Sequence, residues 1–418
     1  MKKRSDISGR FFLFTRITTM NIRYLAVATC IALSTTTYAQ VNIKQPVKPA
    51  PAAAVTYAPI PEAATNSSAA MGTYLRTHLA SQTDMLKAIY GWMASHITYD
   101  MVNTFKPDYY KDTADAVQKT LQTRTAVCQG YASLFVDICR HADIPAWLVT
   151  GYTITGGKMD NASHAWVAAF TGNKWLLYDP TWGSGYVQNN KYVASLNWKH
   201  FGVTPPEYIH THVPFDPLFQ FLDHPLRHDE IRDSKWTAAA GNPVFAYPDT
   251  LSAFARMNES QRAQNAIDRM EHYGITNQMI SVELTNLKNL VAYTKQNEHV
   301  ATYNLQVSVV NRASSQYNDL TNSFNEYVVF KNQQFTPNKP DQEIRDWVDG
   351  MAKKLEDIDK LLKSVTSNEA PIRNNIAEIS TAVAGMRQRI TAEQDFVTKY
   401  IKTGKLFRKR LFYKLSWK

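Results

Sequence analysis

Apolar residues return every three or four positions in some stretches of this chain and every second position in others, and the alternation sets the expected elements. Leu86, Ile89, Tyr90, Met93 and Ile97 predict a helix within 74–99. A shorter helix is predicted over 114–121. Residues 130–140 are apolar at helical period and Pro145 follows, which predicts a helix with Cys128 at its N-terminus. Residues 147–154 read as a strand. His164 to Phe170 and Lys174 to Tyr178 read as a hairpin turned by Thr171-Gly172-Asn173. His164 begins the first of these strands and Asp179 ends the second, so the pattern predicts that the two side chains meet.

The pattern changes near residue 250. Leu284, Leu287, Leu290, Val291 and Tyr293 lie in one amphipathic run. Ile344, Trp347, Val348, Met351, Leu355, Ile358, Leu361 and Leu362 form the clearest helical face, and a further helix is expected over 376–401. Pro337, Pro340 and Pro371 separate these runs. The expectation is a helical bundle or a long hairpin of coiled-coil type whose helices mediate protein contacts.

The N-terminus reads as an export signal. Met20-Asn21-Ile22-Arg23 is a basic start, 24–33 is apolar, and Thr37-Tyr38-Ala39 resembles a cleavage site. The expected organisation is a signal over 1–39, with Met20 as an alternative start, and a Pro/Ala-rich linker over 40–70. A catalytic domain over 71–250, helices over 251–400 and a basic aromatic tail over 401–418 follow. Export implies a periplasmic, outer-envelope or secreted protein. No run of 18 apolar residues follows the signal, so no spanning helix is expected there.

Charge refines this picture. The formal net charge is +10, but residues 1–39 carry +5 and 399–418 carry +8, leaving a body at −3. Nucleic-acid binding by the body is therefore not expected. The stretch 405–418 mixes Lys and Arg with aromatics, which suits an anionic membrane surface or envelope polymer.

Three cysteines occur, and Cys30 belongs to the export signal. Cys128 and Cys139 lie 11 residues apart on one predicted helix, about 16 Å along its axis, beyond disulfide reach. Cys139 reads as a buried apolar residue, and Cys128 as a free thiol with a chemical role. His164 follows Cys128 by 36 residues and Asp179 follows His164 by 15. A thiol needs a base, and an imidazole needs a partner that fixes its tautomer. Around them, Trp92, Gln129, Trp166 and Trp182 are candidates for the oxyanion hole or substrate wall, with Trp92 as the proposed second oxyanion donor. His212 and Asp216 read as structural hydrogen-bonding groups at a turn. The irregular spacing of His210, His212, His224 and His228 argues against a metal site, and no cofactor is expected.

Three segments taken together, Thr125-Ala126-Val127-Cys128-Gln129-Gly130-Tyr131-Ala132, Ser163-His164-Ala165-Trp166-Val167 and Leu177-Tyr178-Asp179-Pro180-Thr181-Trp182-Gly183, resemble the transglutaminase-like superfamily, whose core is papain-like. The run from Phe201 to Pro217 further resembles the branch of the kyphoscoliosis peptidase and related cytokinesis proteins. The resemblance covers roughly 80–225. It implies an α+β fold in which a helix carrying Cys128 packs on an antiparallel sheet, ahead of the long-helix region. It also implies Cys128 as nucleophile, His164 as base and Asp179 as orienter, acting on a protein or peptide substrate. Relatives include peptidases, cross-linkers, deglycosylating amidases and members without catalysis. A non-catalytic interaction module is thus the alternative expectation.

Overall fold

The computed structural model describes residues 56–104, 106, 109–237, 241 and 244–413. The expected export signal, most of the Pro/Ala-rich stretch and the last five residues lie outside these.

Where the pattern predicts one helix over 74–99, the chain makes two. Helix α1 (Ser68–His78) ends in extended backbone at Leu79. Ser81 then caps α2 (Gln82–His96), its hydroxyl accepting the Asp84 N–H at 3.0 Å. A local hydrogen bond restarts the helix where the apolar period alone does not reveal a break. Strand β1 (Thr98–Tyr99) pairs in parallel with β2 (Thr125–Ala126), and α3 (Thr113–Thr123) connects them. Two residues after β2, α4 (Cys128–His141) begins.

Helix α4 buries Tyr131, Leu134, Phe135 and Ile138 at helical spacing in a core shared with α1 and α2. Burying each large apolar side chain here contributes about 1.5–3 kcal/mol. Against α4 lies an antiparallel sheet of β3 (Ala146–Thr155), β4 (Lys158–Thr171) and β5 (Lys174–Tyr178). The two-residue period is plain in β4. Ala165, Val167 and Ala169 enter the core with α4, while Trp166 and Ala168 enter the opposite core. Helix α5 (Pro180–Ser184), the hairpin β6 (Gly185–Gln188) and β7 (Lys191–Ala194), and helix α6 (Pro205–Tyr208) follow. Strand β8 (His212–Pro214) then pairs with the free side of β3, giving the order β5-β4-β3-β8.

Helix α7 (His228–Arg232) precedes α8 (Tyr247–Arg256) and α9 (Glu259–Tyr273). Leu251 and Phe254 of α8 pack with Val149, Trp166 and Leu177, and Ile267 and Met270 of α9 pack with Tyr152 and Val213. These helices cover the second face of the sheet, so the compositional change near residue 250 is no boundary between cores.

The chain separates into two compact units between Lys295 and Gln296, inside the 55-residue helix α10 (Gln278–Asn332). In the second unit α11 (Asp341–Lys363) and α12 (Ala370–Lys402) pack with the later part of α10. Helix α11 buries Ile344, Val348, Met351, Leu355, Ile358 and Leu362, in alternating steps of four and three. The two runs do part before Pro371, which sits in the first turn of α12. Nor are residues 405–412 a free tail. Arg408 donates to both Asp341 carboxylate oxygens at 2.6 and 2.7 Å, and Phe412 packs edge-on against Phe335 and Tyr400. Among the described residues no helix is long and apolar enough to cross a membrane.

Candidate active site

Cys128 is the first residue of α4, following Val127 in extended backbone, and is partly exposed. The unpaired N–H groups of a helix's first turn favour negative charge there, as a thiolate would carry. Gly130 lets this turn press on α3. A Cβ at that position would lie 2.6 Å from Thr120 Oγ1 and 2.8 Å from Ala126 Cβ. Gln129 is exposed at the second helical position. Cys139 is fully buried, and burial pushes its thiol well above the usual range.

His164 stands six residues inside β4 rather than at its start, opposite Gly151 of β3. Residue pairing in the β4–β5 hairpin begins at Val167 and Tyr178. Asp179 lies one step beyond that pairing and caps α5. Its Oδ1 accepts the Thr181 N–H at 2.8 Å and the Trp182 N–H at 3.0 Å. Its Oδ2 lies 2.7 Å from His164 Nε2. Tyr90 of α2 donates to the Asp179 carbonyl at 3.2 Å and the Asn197 carbonyl at 2.8 Å, holding the backbone of this turn. Any side chain at Gly183 would collide with the Tyr90 hydroxyl.

The charges reinforce one another. Burial pulls the His164 imidazolium down, but the Asp179 carboxylate, with Cys128 adding to it, outweighs burial and lifts His164 to about 10. For Asp179, burial acts upward, while His164 and His212 hold the carboxyl well below the usual range. An ionised carboxylate only accepts, so His164 Nε2 bears the hydrogen toward Asp179, while the Cys128 charge acts on the same ring.

The candidate walls divide. Trp182 is partly exposed and tilts over His164 at 5.6 Å between ring centroids, a cover for the imidazole. Trp166 is buried, stacked at 6.2 Å from His164 and closed off by Tyr208. Trp92, the expected oxyanion donor, lies within the core. It is 1% exposed, stacked on His96 and covered by the Arg124 guanidinium. The aromatic that answers to Cys128 is Tyr99. It pairs across β1 with Ala126, two residues before the thiol. Burial, then the Cys128 charge, keep its phenol protonated. A two-residue parallel pairing leaves no periodic signal, so the sequence pattern passes over it.

His212, expected as a structural hydrogen-bonding group at a turn, does bond through Nε2 to Asp179 Oδ2 at 3.3 Å, but from strand β8. Asp216 does cap a turn, donated to by Leu218 N–H at 3.0 Å, and pairs with Arg269 at 2.6 Å. Of the four histidines weighed as metal ligands, His212 lies beside Asp179. His210 packs on Trp236, and His228 lies between Tyr152 Oη and the Phe215 carbonyl. Among the described residues, the donor atoms of His164, Asp179 and His212 do converge within 4.8 Å. Asp179 Oδ2 is hydrogen-bonded to both rings there, which accounts for the cluster by itself.

Residues 70–180, which hold the Cys128 helix, the His164 strand and Asp179, match the transglutaminase-like superfamily. The chain carries a transglutaminase-like domain. Over 155 residues, 35% of this chain, it is 32% identical to the kyphoscoliosis peptidase of Homo sapiens, covering 23% of that protein. It is 31% identical over 114 residues to the uncharacterized protein YebA of Bacillus subtilis (strain 168), covering 24% of this chain and 15% of that one. Among solved structures, the periplasmic domain of TgpA from Pseudomonas aeruginosa is 27% identical, with a TM-score of 0.24, over 29% of this chain and 44% of that one. The chain thus spans under a quarter of the length of the kyphoscoliosis peptidase it matches. Within the matched residues a thiol begins helix α4, and an imidazole on β4 is fixed by a buried carboxylate.

Proposed function

We propose that this chain is an exported cysteine acyl-transfer enzyme, a peptidase, amidase or protein cross-linker acting on peptide or isopeptide amides. The observation that carries the reading is His164, held through Nε2 by Asp179 and lifted further by the nearby Cys128 charge. In the reaction, the Cys128 thiolate adds to the amide carbonyl carbon and forms a C–S bond. The oxyanion is met by the Cys128 N–H at the start of α4, with the Tyr99 phenol as second donor. His164 gives its proton to the leaving amine as the C–N bond breaks, leaving a thioester. Water, deprotonated by His164, then releases the acid and the thiol; an amine acceptor instead forms a new amide. The basic n-region, apolar stretch and small-residue site over 20–39 support an address outside the cytoplasm.

The test is the pH dependence of Cys128 alkylation by iodoacetamide in wild type and His164→Ala. The expected result is a Cys128 alkylated faster than a free cysteine at neutral pH, with that advantage lost in the variant. A wild-type thiol no faster than a free cysteine would overturn the reading and leave an interaction module.

A further inference from the structure

His212 lies outside the set Cys128, His164 and Asp179, yet it touches the acid. It is 1% exposed on β8, opposite Thr153 of β3. Its Nε2 approaches the same Asp179 oxygen that holds His164, at 3.3 Å, while its Nδ1 lies 2.9 Å from Thr211 Oγ1. Tyr208 stacks on the ring at 4.0 Å and 14°. Trp182 and Trp166 abut it edge-on at 4.7 and 5.2 Å, so the ring cannot turn away.

The hydrogen positions follow from the partners. Because ionised Asp179 has no hydrogen to give, His212 Nε2 must be the donor. Nδ1 is then the acceptor at 2.9 Å for the Thr211 hydroxyl, whose single hydrogen it shares with the Tyr208 carbonyl at 3.2 Å. The titratable groups that face His212 are Asp179 at the cap of α5, His164 on β4, His200, and the Tyr208 phenol, itself raised by burial and Asp179. A neutral donor suits this place, since a second cation would sit beside the His164 imidazolium.

We propose that His212 is a positioning residue that pins the Asp179 carboxylate in the orientation that aims His164 at Cys128. The ordered chain runs from Thr211 Oγ1 through His212, Asp179 and His164 to the thiol. Two backbone donors hold Oδ1 and two imidazoles hold Oδ2, so the carboxylate has no free lone pair about which to rotate. The inference rests on the acyl-transfer reading of the site.

The test uses the whole chain, with ring ¹⁵N shifts of labelled histidine and the iodoacetamide rate of Cys128 against pH. In wild type, His212 is expected as the neutral Nε2–H tautomer from about pH 5.5 to 8.5. His212→Phe keeps the ring and loses the donor. It should move the His164 titration by more than about half a unit and slow alkylation at neutral pH about tenfold. His212→Gln restores an N–H donor and should return to within about threefold of wild type. An Nδ1–H tautomer in wild type would overturn the proposal, as would an unmoved His164 titration in His212→Phe. Equal losses in the Phe and Gln variants would also overturn it, assigning His212 to packing alone. Should the Phe variant not fold, the wild-type tautomer and the Gln rate decide. Failure of the acyl-transfer reading is seen separately, as a wild-type Cys128 indifferent to His164→Ala, while the ring shifts still judge the hydrogen-bond chain.

Discussion

Taking a carboxylate wholly out of water costs several kcal/mol unless hydrogen bonds and a counter-charge replace the solvent. Asp179 is 0% exposed and receives two backbone N–H groups and two imidazoles. Replacing it with Asn puts an amide hydrogen where His164 needs an acceptor, which favours the wrong imidazole tautomer. Alkylation of Cys128 in Asp179→Asn is therefore expected to fall about a hundredfold or more, with the His164 midpoint dropping from about 10 toward its ordinary 6.5. The histidines also set how stability depends on pH. Burial lowers His200, His212 and His228 to about 4, so each stays neutral in the fold. Their contribution is complete above 6.5 and is lost as pH falls toward 4, where the unfolded chain binds the protons. His164, raised to about 10, contributes fully below 6.5 and loses its contribution as pH rises through 10. From these groups thermal stability should peak near pH 6.5, with a steeper acid limb because three groups titrate there against one. Melting curves across pH measure this, and His212→Phe should flatten the acid limb.

At the scale of elements, the site depends on close approaches that leave no room for extra atoms. Gly130 sits between the first turn of α4 and Thr120 of α3, so Gly130→Ala should overpack this joint and cost about 1–3 kcal/mol in urea unfolding. The Asp216–Arg269 pair ties the turn after β8 to α9, with side chains 9% and 10% exposed. Arg269→Ala strands the buried carboxylate and is expected to cost about 3–5 kcal/mol by the same measurement. The β4–β5 hairpin was legible because alternation persists through it and a Gly-Asn turn joins it. The length of β4 was not: Asp160 accepts hydrogen bonds from Thr153 and Thr155 across the far end of the β3–β4 pair, and only this pairing explains a strand from Lys158. Strand β8 has three residues, too few for any period to show.

The whole chain holds its apolar groups in separate cores, and one polar cluster lies inside the helical unit. Glu393 is 7% exposed and meets Tyr327 Oη at 3.0 Å and Lys331 Nζ at 2.5 Å. Lys331→Met should lower the unfolding free energy of that unit by about 3–5 kcal/mol in urea titration, and adding Glu393→Met should recover most of it, since a removed pair leaves no stranded charge. Sequence composition placed the change of character near 250, whereas the compact units part after Lys295. Helices α8 and α9 are amphipathic like those beyond them, and periodicity reveals which face a helix buries but not against what. The sequence by itself determined the helix that begins at Cys128, the hairpin that brings His164 to Asp179, and the long amphipathic helices, because each follows from local period, turn chemistry and capping. Only the tertiary structure decided that Trp92 is core, that Tyr99 stands beside the thiol and that His212 shares the Asp179 oxygen. Those three depend on strands of two or three residues, or on a helix face, meeting partners 29 to 33 residues away in the chain, and such pairing is fixed by packing around a common core rather than by any local pattern.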